Sequence, residues 1–198
     1  MSVSIREQHK PDDDAVQAVL AAAFDGEPEV LALESSLCGR PDSRGFVAIA
    51  DGRVVGHVRL TRGWIDAEPE LVEVQVLSPL SVLPAWQRRG IGAALCAHAV
   101  AEAERLGAPA VFLEGSPRYY GRLGWRPAAE LGVTPPSARI PRPAFQAVRL
   151  PAWRAWMRGA LVYAEPFWAN DCVGLRGETL AAVRRELEPA DGEERSAR

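Results

Sequence analysis

A glycine-rich turn in the middle of the chain carries residues whose types and spacing could do chemistry. It spans 82–93 as VLPAWQRRGIGA, at the end of an apolar stretch and the start of a helical one. The first turn of a helix has unpaired backbone N–H groups and the positive end of the helix dipole. Gly90 and Gly92 leave this backbone open to a ligand, and Arg88 and Arg89 add positive charge. The segment therefore predicts a site for a phosphate or pyrophosphate group.

Two other phosphate-binding patterns fit the same segment less well. A P-loop requires a lysine directly after its second glycine, and Lys10 is the single lysine of the chain. A dinucleotide fingerprint requires a small residue where Leu95 stands and a first glycine directly after the strand, whereas residues 83–89 intervene. Glu114 could imitate the ribose-binding acid of that fingerprint, so a dinucleotide-binding domain stays an alternative.

The elements that position this turn follow from periodicity and from turn residues. In chain order we expect a strand at 2–6, helices at 12–24 and 29–37, strands at 46–50 and 54–60, a polar connection at 64–70, a strand at 71–82, a helix at 90–106, a strand at 110–113, a short helix at 116–123, and strands at 144–150 and 159–163.

Connections between these elements predict a mixed α/β (α+β) fold. The pair Asp51-Gly52 is a hairpin signal, so its flanking strands are antiparallel. The helix at 90–106 joins two strands by a right-handed crossover, so these two are parallel. Pro79 interrupts the first of them and favours a local parting of strands, because proline cannot donate to the ladder. His57 and Arg59 alternate with apolar residues, which predicts a half-exposed strand rather than a catalytic histidine.

Composition excludes several classes of protein. The 198 residues carry a formal net charge of −3, which does not favour a nucleic-acid partner. No stretch reaches the ~20 apolar residues that span a bilayer, and the N-terminus lacks the apolar core of a secretion signal, so no membrane partner and a cytoplasmic location are expected. The cysteines Cys38, Cys96 and Cys172 are far apart, which supports neither a disulfide framework nor a metal site.

One domain is expected over residues 1–183, with a charged tail at 184–198. Within the domain, 144–183 is interpreted as a variable region for acceptor or dimer contacts. Arginines and tryptophans interleave over 139–158. We expect Trp153 and Trp156 to stack against the core or against a dimer partner, with the arginines solvated. The alternative is that this segment lines an acceptor site.

Three spaced motifs resemble those of the GNAT N-acetyltransferases. The run QRRGIG at 87–92 resembles the family's Gln/Arg-x-x-Gly-x-Gly/Ala pyrophosphate loop. Upstream, LSVLP at 80–84 resembles the end of its fourth strand, and downstream YYGRLGW at 119–125 resembles its Tyr-x-x-x-Gly-Phe element. The GSP at 115–117 is similar to an uncharacterised bacterial branch. The resemblance is good over 53–127 and diffuse over 3–149.

This resemblance implies the GNAT fold, a mixed central sheet with helices on both faces, with acetyl-CoA or another acyl-CoA lying between two parted parallel strands and no metal. The implied reaction is direct attack on the thioester by a primary amine, of a small molecule or of a protein, in a ternary complex; the protein would be a monomer or homodimer. The cofactor residues carried over are the backbone of Leu80, Ser81 and Val82 and the loop residues Gln87, Arg88, Arg89, Gly90, Ile91, Gly92 and Ala93.

Such a reaction also requires a proton acceptor and a proton donor. Tyr120 matches the family's tyrosine at the general-acid position. For the base, Glu73 on the long strand is the first candidate and Glu114 at the end of the neighbouring strand is the second. If the proton chemistry is missing, the alternative is a non-catalytic acyl-CoA-binding module with a sensing or regulatory role.

Overall fold

A nine-stranded sheet organises residues 3–175 and 177–188, the part of the chain that the computed structural model describes. Its strands are β1 Val3–Glu7, β2 Ser43–Ala50, β3 Arg53–Ala67, β4 Leu71–Val82, β5 Ala110–Glu114, β6 Arg126–Pro127, β7 Val133–Thr134, β8 Phe145–Arg149 and β9 Gly159–Val162. The α-helices are α1 Asp13–Ala23, α2 Pro28–Leu37, α3 Ile91–Arg105, α4 Pro117–Gly121, α5 Glu165–Ala169 and α6 Gly177–Leu187.

The sheet is mixed, as predicted. Its main path has the order β1-β2-β3-β4-β5-β8-β6, and β9 pairs with both β3 and β7. The pairs β4–β5 and β7–β9 are parallel, and the remaining described pairs are antiparallel. Asp51 and Gly52 turn the β2–β3 hairpin with φ of 48° and 73°, the left-handed region that such two-residue turns require.

Helices cover both faces of the sheet, which confirms the predicted layers. Adjacent strand residues point to opposite faces, and β2 illustrates this. Val47 packs with Val16 and Leu20 of α1, whereas its neighbour Phe46 belongs to the apolar cluster that contains Leu95 of α3.

Two sequence-based expectations about β3 are wrong. The strand continues to Ala67 instead of ending before a connection at 64–70, because its last residues pair with β4 on one side and with β9 on the other. His57 and Arg59 are buried rather than half-exposed, because α1 and α2 cover the face onto which they project. Strand alternation alone does not reveal whether a polar face is covered.

The crossover that carries the glycine-rich turn is formed as predicted. Strand β4 leads through the turn into α3, α3 ends at a left-handed Gly107 with φ of 80°, and β5 then runs parallel to β4. Near the C-terminus, α6 continues to Leu187 and so crosses the expected boundary at residue 183. Most of the expected tail, residues 189–198, lies outside the described residues.

Candidate active site

A cleft opens where the two central parallel strands separate. Strands β4 and β5 are paired only through Gln75 with Val111 and Val76 with Phe112. Beyond Val76, β4 stays paired with β3 as far as Val82, with an irregularity at Ser78 and Pro79, while β5 ends at Glu114 beside β8. The backbone edge of β4 that faces β5 is thus released from the ladder over its last residues, and its N–H and C=O groups can reach a ligand.

The cleft has a volume of about 550 Å³ and three walls. The first is the released end of β4, the second is the end of β5 with α4, and the third comes from the α1–α2 turn and from α5. Lining residues include, by wall, Leu77, Ser78, Pro79 and Leu80; Glu114, Gly115, Ser116 and Tyr120; and Phe24, Glu27, Glu29, Val30, Leu33, Tyr163 and Phe167.

The predicted pyrophosphate loop lies between β4 and the first turn of α3. Gly90 is the residue before the helix and has a φ of 82°, a conformation that suits glycine. The Gln87 side-chain amide donates to the Val82 carbonyl oxygen over 3.1 Å, which ties the loop back to the strand. The Arg89 guanidinium lies 5.0 Å from the centre of the Trp86 ring, a cation–π contact that orients its charge.

A second glycine, Gly92, lets α4 approach the first turn of α3 closely. A Cβ built on Gly92 would lie 2.6 Å from the Tyr119 hydroxyl oxygen and 3.8 Å from a Val82 methyl carbon. The start of α3, the end of β4 and α4 therefore meet at Gly92. The backbone N–H groups of this turn have no carbonyl one helical turn before them, and the same turn presents the positive end of the helix dipole.

Tyr120 reaches the cleft from α4. Its ring packs edge-on against Trp125, with the two ring centres 5.9 Å apart, and against Tyr119, with centres 4.9 Å apart. Burial raises the pKa of the Tyr120 hydroxyl above its ordinary value, and Cys96 and Tyr119 add to the shift. The hydroxyl is consequently neutral near neutral pH and can donate a proton.

Gly115, directly after β5, leaves the space that the Tyr120 ring occupies. A Cβ on Gly115 would lie 2.4 Å from the Cε2 atom of that ring, far closer than side-chain carbons approach. Gly115→Ala is expected to displace the ring and to lower the melting temperature, because the Tyr120 ring also packs against Trp125. Thermal unfolding of the variant measures this effect; an alanine variant with wild-type stability would contradict the need for this ring position.

A carboxylate at the end of β5 and a tyrosine that contacts it both line the cleft. Glu114 is half-buried at the last position of β5, and Tyr163 follows β9. Burial raises the pKa of Tyr163 well above its ordinary value, followed by the negative charge of Glu114 and a hydrogen bond to its carboxylate. Because Tyr163 keeps its proton, it can donate to Glu114 and orient this carboxylate within the cleft.

The structure does not bring Glu73 to this cleft. Its side chain lies near the start of β4, with Oε2 3.6 Å from Nη1 of Arg62, and is 59% exposed. It borders a different, polar depression together with Asp42, Arg44 and Arg62. The alternation of β4 predicts which face Glu73 shares but not at which end of the strand the cleft opens.

Some residues that line the cleft belong to no sequence motif and were not predicted. The α1–α2 turn supplies Glu27, and the start of α2 supplies Glu29 and Val30. The local signal for the turn was the Asp25-Gly26 pair, whose φ values of 49° and 76° form it. The arginine- and tryptophan-rich segment 139–158 contributes no described lining residue. Trp153 of that segment packs against the core, and Trp156 is exposed.

The described part of the chain contains neither a membrane-spanning helix nor a cluster of metal-ligating side chains. No helix among the described residues is long and apolar enough to cross a bilayer. Within 3–175 and 177–188, no three histidine, cysteine or acidic side chains are grouped so that they could hold a metal ion.

Residues 11–125 match the family described as the acetyltransferase (GNAT) family. A relative in Escherichia coli strain K12, the uncharacterized N-acetyltransferase YjhQ, is 30% identical over 123 residues, which are 61% of this chain and 67% of that protein.

Two solved structures share the fold over most of the chain. The first is the GNAT family N-acetyltransferase YhbS from Escherichia coli in complex with CoA, with a TM-score of 0.74 and 25% identity over 83% of this chain and 91% of the other. The second is a GNAT family acetyltransferase from Brucella melitensis in complex with acetyl-CoA, with a TM-score of 0.67 and 25% identity over 84% and 98%.

A sheet with parted parallel strands, a glycine loop at a helix start and a tyrosine facing the gap together define an acyltransferase-type fold. The matched residues 11–125 contain the released end of β4, the loop, α3 and α4. The chain belongs to the GNAT acetyltransferase family, as the sequence motifs indicated.

Proposed function

We propose that the protein transfers an acetyl group, or a related acyl group, from acyl-CoA to a primary amine by direct attack in a ternary complex. The single observation that carries the proposal is that the released β4 edge, Tyr120 and Glu114 line one cleft, and that the same strand leads from this edge into the glycine loop and α3. The CoA and acetyl-CoA of the two solved relatives support the choice of cofactor.

Binding of the cofactor would use backbone groups more than side chains. The N–H groups of residues 90–93 and the charges of Arg88 and Arg89 would hold the pyrophosphate. The backbone of Leu80, Ser81 and Val82 would take the place of a strand partner for the pantetheine arm, because this edge is no longer paired with β5. An amide there that points at the thioester oxygen would stabilise the negative charge that develops during attack.

Tyr120 would protonate the departing CoA thiolate. The sulfur would leave from the gap between β4 and β5, which Tyr120 and Leu80 both line. The raised pKa keeps the Tyr120 hydroxyl protonated at neutral pH, so that it can hydrogen-bond to the thiolate and protonate it as the negative charge develops.

Glu114, rather than Glu73, would accept the proton of the attacking amine, directly or through water. Glu114→Gln is expected to lower kcat by at least about 100-fold, the lower end of general acid–base contributions, because glutamine cannot take up the proton. Glu73→Gln is the matched comparison and should retain turnover, since Glu73 lies outside the cleft lining. Steady-state kinetics on both variants distinguish the two candidates. A loss of kcat in Glu73→Gln with normal turnover in Glu114→Gln would identify Glu73 as the general base instead.

The cleft lining favours a positively charged acceptor. Its described residues include the carboxylates of Glu27, Glu29, Glu114 and Asp171, and no arginine, lysine or histidine among them faces the cleft. Asp171 is paired with Arg139, whose Nη1 donates to Asp171 Oδ1 over 3.2 Å. Glu27 in the α1–α2 turn and Glu29 at the start of α2 are the other two carboxylates on this side of the cleft. Amines without a carboxylate or phosphate are therefore the first acceptors to test.

The test of the proposed function combines ligand binding with turnover. Acetyl-CoA, CoA, longer acyl-CoAs and NAD are compared for their effect on the melting temperature, and free thiol release is then followed with a panel of amines. Stabilisation by CoA species with amine-dependent thiol release is the expected result. Stabilisation without turnover for any amine would favour the non-catalytic acyl-CoA-binding module, and stabilisation by NAD alone would favour the dinucleotide-binding alternative.

A further inference from the structure

A buried polar cluster lies beneath α1 and α2; we call its four residues, Gln8, Glu34, His57 and Arg59, the Arg59 cluster. Arg59 Nε donates to Glu34 Oε2 over 2.7 Å, and its Nη2 donates both to Glu34 Oε1 and, over 2.7 Å, to Gln8 Oε1. Glu34, His57 and Arg59 are each at most 2% exposed. The proposed chemistry uses none of these groups.

The neighbours of the His57 ring determine which nitrogen carries the proton. Nε2 lies 3.1 Å from the amide oxygen of Gln8 and 3.6 Å from a carboxylate oxygen of Glu34, and both oxygens can only accept. The Gln8 amide is held in this orientation because its Nε2 donates to Asp13 over 3.0 Å. Burial, with the charge of Arg59 second, lowers the pKa of His57 well below its ordinary value, so the ring is neutral. The proton is therefore on Nε2, and Nδ1 is an acceptor.

A hydroxyl group stands directly across the strand pair from this acceptor. His57 of β3 and Ser81 of β4 are register partners, and side chains at opposed positions project to the same face. Ser81 is 3% exposed, and within the described residues neither its Oγ nor His57 Nδ1 has a hydrogen-bond partner. Buried polar atoms in native proteins are nearly always paired, and here one atom is a donor and the other an acceptor.

We propose that the Ser81 hydroxyl donates to His57 Nδ1 after a rotation about its χ1 angle, and that His57 is a positioning residue for the acyl-CoA strand. Residues 80–82 are the part of β4 that has left β5 and is paired with β3 alone. The bond anchors the middle of this segment to the Arg59 cluster. Glu34 of that cluster belongs to α2, where the adjacent Leu33 lines the cleft. The Arg59 cluster would therefore hold both the released end of β4 and the side of the cleft that α2 forms.

The positioning role rests on the proposed acyl transfer, and kinetics test it. Ser81→Ala keeps the strand backbone and is expected to lower kcat about threefold to tenfold, the range of a net neutral hydrogen bond, with KM for acetyl-CoA unchanged. His57→Gln, which keeps a polar group near Nε2 only, should act like Ser81→Ala, whereas His57→Asn places its oxygen near Nδ1 and should restore turnover. The double variant Ser81→Ala/His57→Gln should be no slower than either single variant, because both remove one bond.

Ser43→Ala is the control, because Ser43 Oγ accepts from the same guanidinium, 3.3 Å from Arg59 Nη1, but belongs to β2. It should keep wild-type kcat. An Ser81→Ala variant with wild-type kcat, or a Ser43→Ala variant as slow as Ser81→Ala, would overturn the positioning role.

A spectroscopic measurement tests the hydrogen bond independently of any activity. In ¹⁵N-labelled protein, long-range correlations from the His57 ring protons should identify the neutral form protonated on Nε2. The Nδ1 resonance should move toward that of an unbonded imine nitrogen in Ser81→Ala and stay in place in Ser43→Ala. An Nδ1 resonance that does not respond to Ser81→Ala would overturn the bond. If the bond is present but no amine is acylated, the proposed function and the positioning role fail together while the bond stands.

Discussion

Gly92→Glu is expected to abolish acyl-CoA binding and to leave the fold intact. The new side chain would displace the Tyr119 hydroxyl from the start of α3 and would set a negative charge at the proposed pyrophosphate site. Two charge-assisted hydrogen bonds, at about 1.5–3 kcal/mol each, correspond to a loss of affinity of roughly 100-fold or more. The fold should survive because the Cβ meets only the flexible end of Tyr119, and an acidic residue in the first turn of a helix is favourable.

Calorimetric titration with CoA and acetyl-CoA measures this effect, and a melting curve checks the fold. Ala101→Glu is the matched control, since it places the same charge on an exposed position of α3 away from its first turn. Wild-type affinity in Gly92→Glu would refute the assignment of the pyrophosphate loop. Equal losses in the two variants would indicate a general charge effect instead of a blocked site.

Tyr120→Phe is expected to lower kcat by about 100-fold or more, in the range of general-acid contributions, with CoA affinity unchanged. The substitution removes only the hydroxyl and preserves the edge-on packing of the ring against Trp125. Because burial raises the pKa of Tyr120 above its ordinary value of 10, the hydroxyl stays protonated through neutral pH. The wild-type rate should therefore show no loss from Tyr120 ionisation as the pH rises to about 10, the ordinary pKa of tyrosine.

Single-turnover thiol release separates this step from product release, and binding of CoA is measured on the same preparation. Tyr119→Phe is the comparison, because its hydroxyl lies over Gly92 and not in the cleft lining, so its effect should fall on KM for acyl-CoA. If Tyr120→Phe turns over at the wild-type rate, the tyrosine is a packing residue and another group supplies the proton. If the wild-type protein binds CoA tightly but shows no turnover, the non-catalytic acyl-CoA-binding module is favoured.

The sequence by itself predicted most of the elements and a phosphate-binding loop, because both predictions depend on local chemistry. The run at 87–92 contains its own glycines, its helix start and its charges, so neighbouring residues suffice to predict a phosphate site. The crossover from β4 through α3 to β5 was predictable for the same reason, since periodicity and a capping Gly107 define its parts. Tyr120 was predicted as the proton donor from the resemblance of residues 119–125 to the GNAT Tyr-x-x-x-Gly-Phe element.

Only the tertiary structure decided which carboxylate faces the cleft and which polar groups are buried. Glu73 and Glu114 are both acidic residues on parallel strands, but the strands part at one end only, and this end is set by pairing between residues far apart in sequence. His57 and Arg59 looked like a half-exposed strand face until α1 and α2 were packed over it. Likewise, the α1–α2 turn joins the cleft because the helices fold across the sheet. Which faces and ends are covered depends on long-range packing, and a local residue pattern does not contain that information.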